Sequence, residues 1–88
     1  MRLMLVTYDL NRPGQNDEAL IEAIEGHGHC CHVQGSTWLV RTWQTPQQVG
    51  EALRRRMEAG DSLLVVPVDR HHLYGCLTDA QWRWMIAA

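Results

Sequence analysis

Two runs of this chain, Leu3-Met4-Leu5-Val6 and Leu63-Leu64-Val65-Val66, are apolar at every position. In a β-strand, successive side chains point to opposite faces, so such runs are apolar on both sides and both sides need cover. With 88 residues, there is room for one small domain and a modest core. How that chain covers two faces of one sheet is the question its sequence poses.

The remaining elements come from period and punctuation. The first run continues through Thr7-Tyr8-Asp9-Leu10 into Asn11-Arg12-Pro13-Gly14, which reads as a turn, because Pro presets φ and Gly accepts positive φ. Asn16 is the expected N-cap of a first helix, with Asp17 and Glu18 placing negative charge in its first turn. Leu20, Ile21, Ala23 and Ile24 form the apolar stripe, and Gly26-His27-Gly28 ends it. Cys30 to Thr42, rich in Val, Thr and Trp, reads as two strands or one bent pair, with Gly35-Ser36 at a bulge or tight turn.

A second helix opens at Thr45-Pro46-Gln47-Gln48, a capping box with Pro at the first helical position. Val49, Leu53 and Met57 repeat on one side until Gly60-Asp61. Leu63 to Val68 then reads as a buried strand whose Pro67 places it near an end or at an edge. Thr78-Asp79-Ala80-Gln81 repeats the capping-box pattern before a short C-terminal helix carrying Trp82, Met85 and Ile86.

The order β, α, β, β, α, β is that of a ferredoxin-like α+β sandwich, an antiparallel sheet with two helices on one face. Residues 1–88 are read as one such domain, with 69–88 as a C-terminal strand or helix extension. Two helices cover only one face. The extension supplies part of the second cover, and a second copy packed sheet to sheet is the economical way to supply the rest.

Composition limits function. The apolar fraction of 45% and charged fraction of 20% are those of an ordinary globular chain. No apolar run nears the roughly 20 residues of a spanning helix, and the N-terminus lacks a signal-peptide pattern. A cytoplasmic protein without a membrane partner is expected. The formal charge is −2, and all eight basic residues are Arg, so net charge does not encode a strong non-specific grip on nucleic acid. Three cysteines in such a chain are expected as reduced thiols.

Several residues carry candidate chemistry. Asp9 ends a buried strand, where a carboxylate must be solvated, hydrogen-bonded or bound to a cation. Its other role is a turn carboxylate accepting N–H groups of Asn11–Gly14. Asp61 and Asp69, at a strand start and a strand end, read as loop solvation. His27, His29, Cys30, Cys31 and His32 are ligand types suited to zinc. Strand alternation separates His29 and Cys31 from Cys30 and His32, so a site would need His71, His72 or Cys76. The other reading is a strand entrance with inert cysteines. Arg54-Arg55-Arg56, in the last turns of the second helix, reads first as a solvated face with Glu51 pairing to Arg55, and second as a nucleic-acid patch. Trp38, Trp43, Trp82 and Trp84 suit core or interface anchoring, with base stacking as the alternative.

Taken together, Tyr8-Asp9-Leu10 at a strand end, Val33-Gln34-Gly35-Ser36-Thr37-Trp38 after the first helix, and Asp61-Ser62-Leu63 opening a late strand resemble a known family. It is that of the small CRISPR-associated nuclease-fold proteins, which partner the integrase in spacer acquisition. The likeness spans residues 3 to 68, and the tail from Tyr74-Gly75 through Trp82 resembles its stand-alone SinR-labelled relatives. The resemblance implies a homodimer with Asp9 near the two-fold axis, where it and its symmetry mate hold Mg²⁺ or Mn²⁺ for cleavage of RNA or DNA. Tyr8, Asn11, Arg12 and Ser36 are the substrate contacts it implies. Family nucleases carry basic residues after the Asp motif, whereas here Arg12 is followed by Pro13-Gly14-Gln15-Asn16-Asp17-Glu18. Non-catalytic members also exist, so the alternative is a dimeric interaction or regulatory module with a protein partner, as in a toxin–antitoxin setting, and a vestigial nuclease site.

Overall fold

The computed structural model describes residues 1–12 and 17–87. Its elements are β1 (Arg2–Asp9), α1 (Glu18–Glu25), β2 (His29–Gln34), β3 (Thr37–Thr42), α2 (Pro46–Arg54), β4 (Ser62–Pro67) and α3 (Asp79–Ile86). One antiparallel sheet runs in the order β2-β3-β1-β4. The fold is therefore α+β with β1 inside the sheet and β4 at its edge.

Alternation along β1 divides the sheet. Met4, Val6 and Tyr8 point to one face, where Trp38 and Val40 of β3 join them under Leu20 and Ile24 of α1 and Val49 and Leu53 of α2. Leu63 and Val65 of β4 pack against the margin of this core. The other face carries Leu3, Leu5, Thr7 and Asp9, with Leu39, Leu64 and Val66 beside them by register.

Local chemistry sets two helix starts. Thr45 Oγ1 accepts from the Gln48 N–H at 3.1 Å, while Gln48 Oε1 accepts from the Thr45 N–H at 2.8 Å. Thr78 and Gln81 repeat the exchange at 3.2 and 3.0 Å. Each box satisfies two of the orphan donors at a helix start. For α1, the expected cap Asn16 and turn residues Pro13 and Gly14 lie outside the described residues. Asp17 occupies the N-cap position and makes no capping bond; its carboxylate instead accepts from the Tyr8 hydroxyl at 2.8 Å.

Three expectations change. First, α2 ends at Arg54 rather than near Gly60. The chain tightens there into bonds from Arg56 N–H to the Leu53 carbonyl and from Met57 N–H to the Arg54 carbonyl. Met57 still reaches the core, and Gly60 at φ +92° completes the reversal into β4. Second, Glu51 does not pair with Arg55; it accepts from Gln47 Nε2 at 3.0 Å. Third, β4 is not a buried strand. Leu64 is 58% exposed and Val66 37%, since α3 packs over β2 at the opposite side of the sheet.

The tail covers the rest of the far face. Met85 of α3 and Leu39 of β3 are both buried, and an apolar cavity of about 270 Å³ remains between the sheet and the tail, bounded by Leu5, Val33, Leu77 and Trp82. Arg41 secures the arrangement. Its guanidinium donates to the Ala87 carbonyl at 2.7 Å and the Trp84 carbonyl at 2.8 Å, and lies 4.2 Å from the Trp84 ring centroid, a cation–π distance. Gln81 Nε2 adds a bond to the His32 carbonyl at 3.1 Å. The strip that a second copy was expected to cover thus narrows to the β4 side.

Candidate functional site

The C-terminal end of β1 meets three other segments: the start of β4, the β2–β3 turn and the β1–α1 loop. Asp9 lies opposite Ser62, and the Ser36 carbonyl accepts from the Tyr8 N–H at 3.1 Å. A shallow depression of about 270 Å³ opens here along Thr7, Asp9, Ser62 and Leu64. Asp9 is exposed, and among the described residues its carboxylate accepts no hydrogen bond. The turn-carboxylate role is taken instead by Asp61.

Asp61 binds two loops together. Its Oδ1 accepts from the Asn11 N–H and its Oδ2 from the Glu58 N–H, both at 2.8 Å. Arg12 donates through Nη2 to both Glu58 carboxylate oxygens at 2.7 Å and through Nε at 3.2 Å. A Cβ added to Gly60 would lie 2.9 Å from the Asn11 side-chain nitrogen. Asn11 and Arg12 therefore brace the β1–α1 loop against the α2–β4 turn. The positive charge expected to meet a phosphate is already neutralised by a bidentate carboxylate.

Tyr8 departs from Asp9 altogether. Its ring is buried on the helix side, whereas Asp9 belongs to the opposite face. Burial first, then the hydrogen bond and charge of Asp17, push the phenol up to about 12, with the side chains of Trp38 and Ser36 pulling the other way. By distance and angle, the buried Trp38 Nε1 has no hydrogen-bond partner among the described residues. Ser36 is exposed in the β2–β3 turn. The structure thus brings Asp9, Ser36, Asn11 and Arg12 to one end of the sheet, but it commits Arg12 and Asn11 to bracing and Tyr8 to the core.

The His/Cys cluster is split as alternation requires. Cys31 lies opposite Leu39 on the far face, while Cys30 and His32 lie opposite Val40 and Trp38. The His32 ring stacks on Trp38 with centroids 4.3 Å apart, and its Nε2–H donates to the Gly35 carbonyl at 2.8 Å. Burial pushes both cysteine thiols up, with Glu25 and then Cys31 reinforcing the effect at Cys30, and Arg41 opposing it at Cys31. A thiol raised in this way carries little thiolate, the nucleophilic form. Asp69 accepts from the His71 N–H at 2.9 Å and pairs with His72 Nδ1 at 2.7 Å. These two contacts hold its carboxyl below the usual range. Among the described residues no group of three or more His, Cys, Asp or Glu is placed to hold a metal. Asp9 belongs to no such group. Nor, among the described residues, is any helix long and apolar enough to cross a membrane.

Arg54, Arg55 and Arg56 are exposed at the end of α2. Trp38 serves the core, Trp82 and Trp84 serve the tail, and Trp43 is 75% exposed. The sequence does not show the bracing roles of Asp61, Glu58 and Gly60, although Gly60-Asp61 marks the end of the helical stripe. Compared with known protein families, with curated proteins and with solved structures, the chain matches none.

Proposed function

We propose that this chain is a ferredoxin-like interaction module of the cytoplasm that works by binding a protein. The βαββαβ order with β1 beside β3 and β4 supports that fold assignment. One observation carries the functional reading: the charged groups at the Asp9 end are spent on bracing loops, with Arg12 on Glu58 and Asp61 on two backbone N–H groups. Among the described residues Asp9 belongs to no group of three or more His, Cys, Asp or Glu placed to hold a metal. A regulatory or toxin–antitoxin setting suits such a module.

A second reading, a Mg²⁺- or Mn²⁺-dependent endonuclease acting on RNA or DNA, is favoured by the uncovered strip of Asp9, Ser62 and Leu64. There a two-fold mate packed sheet to sheet would supply a second Asp9. Mg²⁺ accepts one or two carboxylates together with waters and phosphate oxygens. Ser36 and Asn11 would then border the nucleic acid.

Labelled single-stranded RNA and duplex DNA, incubated with the protein and Mg²⁺ or Mn²⁺, separate the two readings. The interaction module predicts no cleavage difference among the wild type, Asp9→Asn and an EDTA control. Metal-dependent cleavage that is lost in Asp9→Asn would replace it with the nuclease.

A further inference from the structure

The outer edge of β4 has no strand beside it in the sheet, and the ladder on its inner side fixes which backbone groups face outward. The Val68 N–H donates to the Leu3 carbonyl at 2.9 Å. In an antiparallel ladder, hydrogen-bonded pairs recur every second residue, so Val66, Leu64 and Ser62 also direct their backbone groups to β1, opposite Leu5, Thr7 and Asp9. Leu63, Val65 and Pro67 therefore turn theirs outward. Pro67, which has no N–H, occupies an outward position where it costs no internal ladder bond.

Among the described residues the edge carries none of the usual protection apart from that proline. From Ser62 to Val66 there is no charged residue, no bulge interrupts its pairing with β1, and Leu64 and Val66 are exposed. Exposed edges of this kind pair with other strands unless charge, bulges or cover prevent it. We infer that the β4 edge pairs with the β4 edge of a second copy, antiparallel about a two-fold axis through Leu64, to form one continuous eight-stranded sheet. This names the partner of the interaction module and so rests on that reading.

The register follows from three features. With the axis at Leu64, Leu63 faces Val65 of the other copy, and each pair exchanges two N–H···O=C bonds, four in all. The ladder then stops at both ends for want of donors, since Pro67 has none and the Asp61 N–H is already given to the Glu58 carbonyl. On the far face, Leu64 meets its own mate at the axis. On the helix face, a groove of about 930 Å³ lies between α2 and β4, with Glu51 and Arg54 on its wall. Gly50 stands over Val65, where a Cβ would be 3.7 Å from Val65 Cγ2. Because α2 and β4 run in opposite directions, the two-fold sets Arg54 against the other copy's Glu51, twice. Moving the axis to Val65 keeps the backbone bonds but sets Glu51 against its own mate. Among the described residues Arg54 has no carboxylate partner within one chain. Charge complementarity and backbone geometry select the same register.

This arrangement also separates the two Asp9 residues by three strand spacings across and four residues along, about 20 Å. They cannot share a metal ion.

Sedimentation equilibrium on the full chain tests the inference. The wild type should dimerise, and Leu64→Lys and Arg54→Glu should each weaken the dimer about tenfold or more by opposing like charges. The double variant Glu51→Arg/Arg54→Glu should restore it. Both positions are exposed, and unchanged circular dichroism will verify folding. A wild type that stays monomeric overturns the inference, and so does a dimer indifferent to Arg54→Glu. The latter result would place the contact on the far face. Neither result touches the interaction reading itself, which falls only if the nuclease assay is positive.

Discussion

Tyr8 is the residue whose surroundings make the sharpest statement. Its hydroxyl is tied to Asp17 and its pKa is pushed from 10.0 up to about 12. Because the folded state holds this proton more tightly than the unfolded chain does, the stabilisation is complete below the unfolded value of 10.0. It is lost as pH rises through about 12. In a Tyr74→Phe variant Tyr8 is the one remaining tyrosine, and tyrosinate absorbance should titrate near about 12 in the folded protein. A midpoint near 10 would mean that the phenol is neither buried nor bound to Asp17. Asp9 at a strand end was legible, because a carboxylate after an alternating apolar run has little choice of place. The commitments of Tyr8 and Arg12 were not. Their partners Asp17 and Glu58 are reached across loops, and neither periodicity nor local turn chemistry encodes which distant carboxylate a side chain will find.

At the scale of elements, starts were more legible than ends. Thr45 and Thr78 cap their helices through residues three positions on, so the signal is contained in four consecutive letters. The end of α2 depends instead on contacts between two loops. Gly60 has a positive φ and sits against the Asn11 side chain. Gly60→Ala should therefore destabilise the fold by about 1–2 kcal/mol, measured by urea unfolding. It should also loosen hydrogen-exchange protection of the Asn11 and Glu58 amides, which Asp61 holds. A neutral substitution would show that the turn relaxes without cost. The stripe ending in Met57 suggested a longer helix because a residue in a tightened turn reaches the core from nearly the same direction as one in the next helical turn.

For the whole molecule, the two-faced apolar pattern of β1 correctly demanded cover on both sides, but tail and second copy both supply apolar surface, so the pattern could not divide the work between them. In the structure the tail takes part of it: Arg41 fastens the tail by its carbonyls, and Met85 of the tail and Leu39 of the sheet are both buried. Met85→Ala should cost about 2–5 kcal/mol, observed as a lower urea midpoint, whereas a loss below about 1 kcal/mol would mean that the tail packs loosely. Pro67 places β4 near an end or at an edge, and the structure has it at an edge, but the expected burial is not found, since four apolar letters do not tell whether the face beneath them is covered. The position of the tail has a temporal side as well. A ribosome delivers β1, β3 and β4 before residues 78–87, so a growing chain can complete its helix-side core while Leu5 and Leu39 still face solvent. Until α3 emerges, the nascent protein displays a greasy panel to chaperones, and its arrival is the step that closes that window.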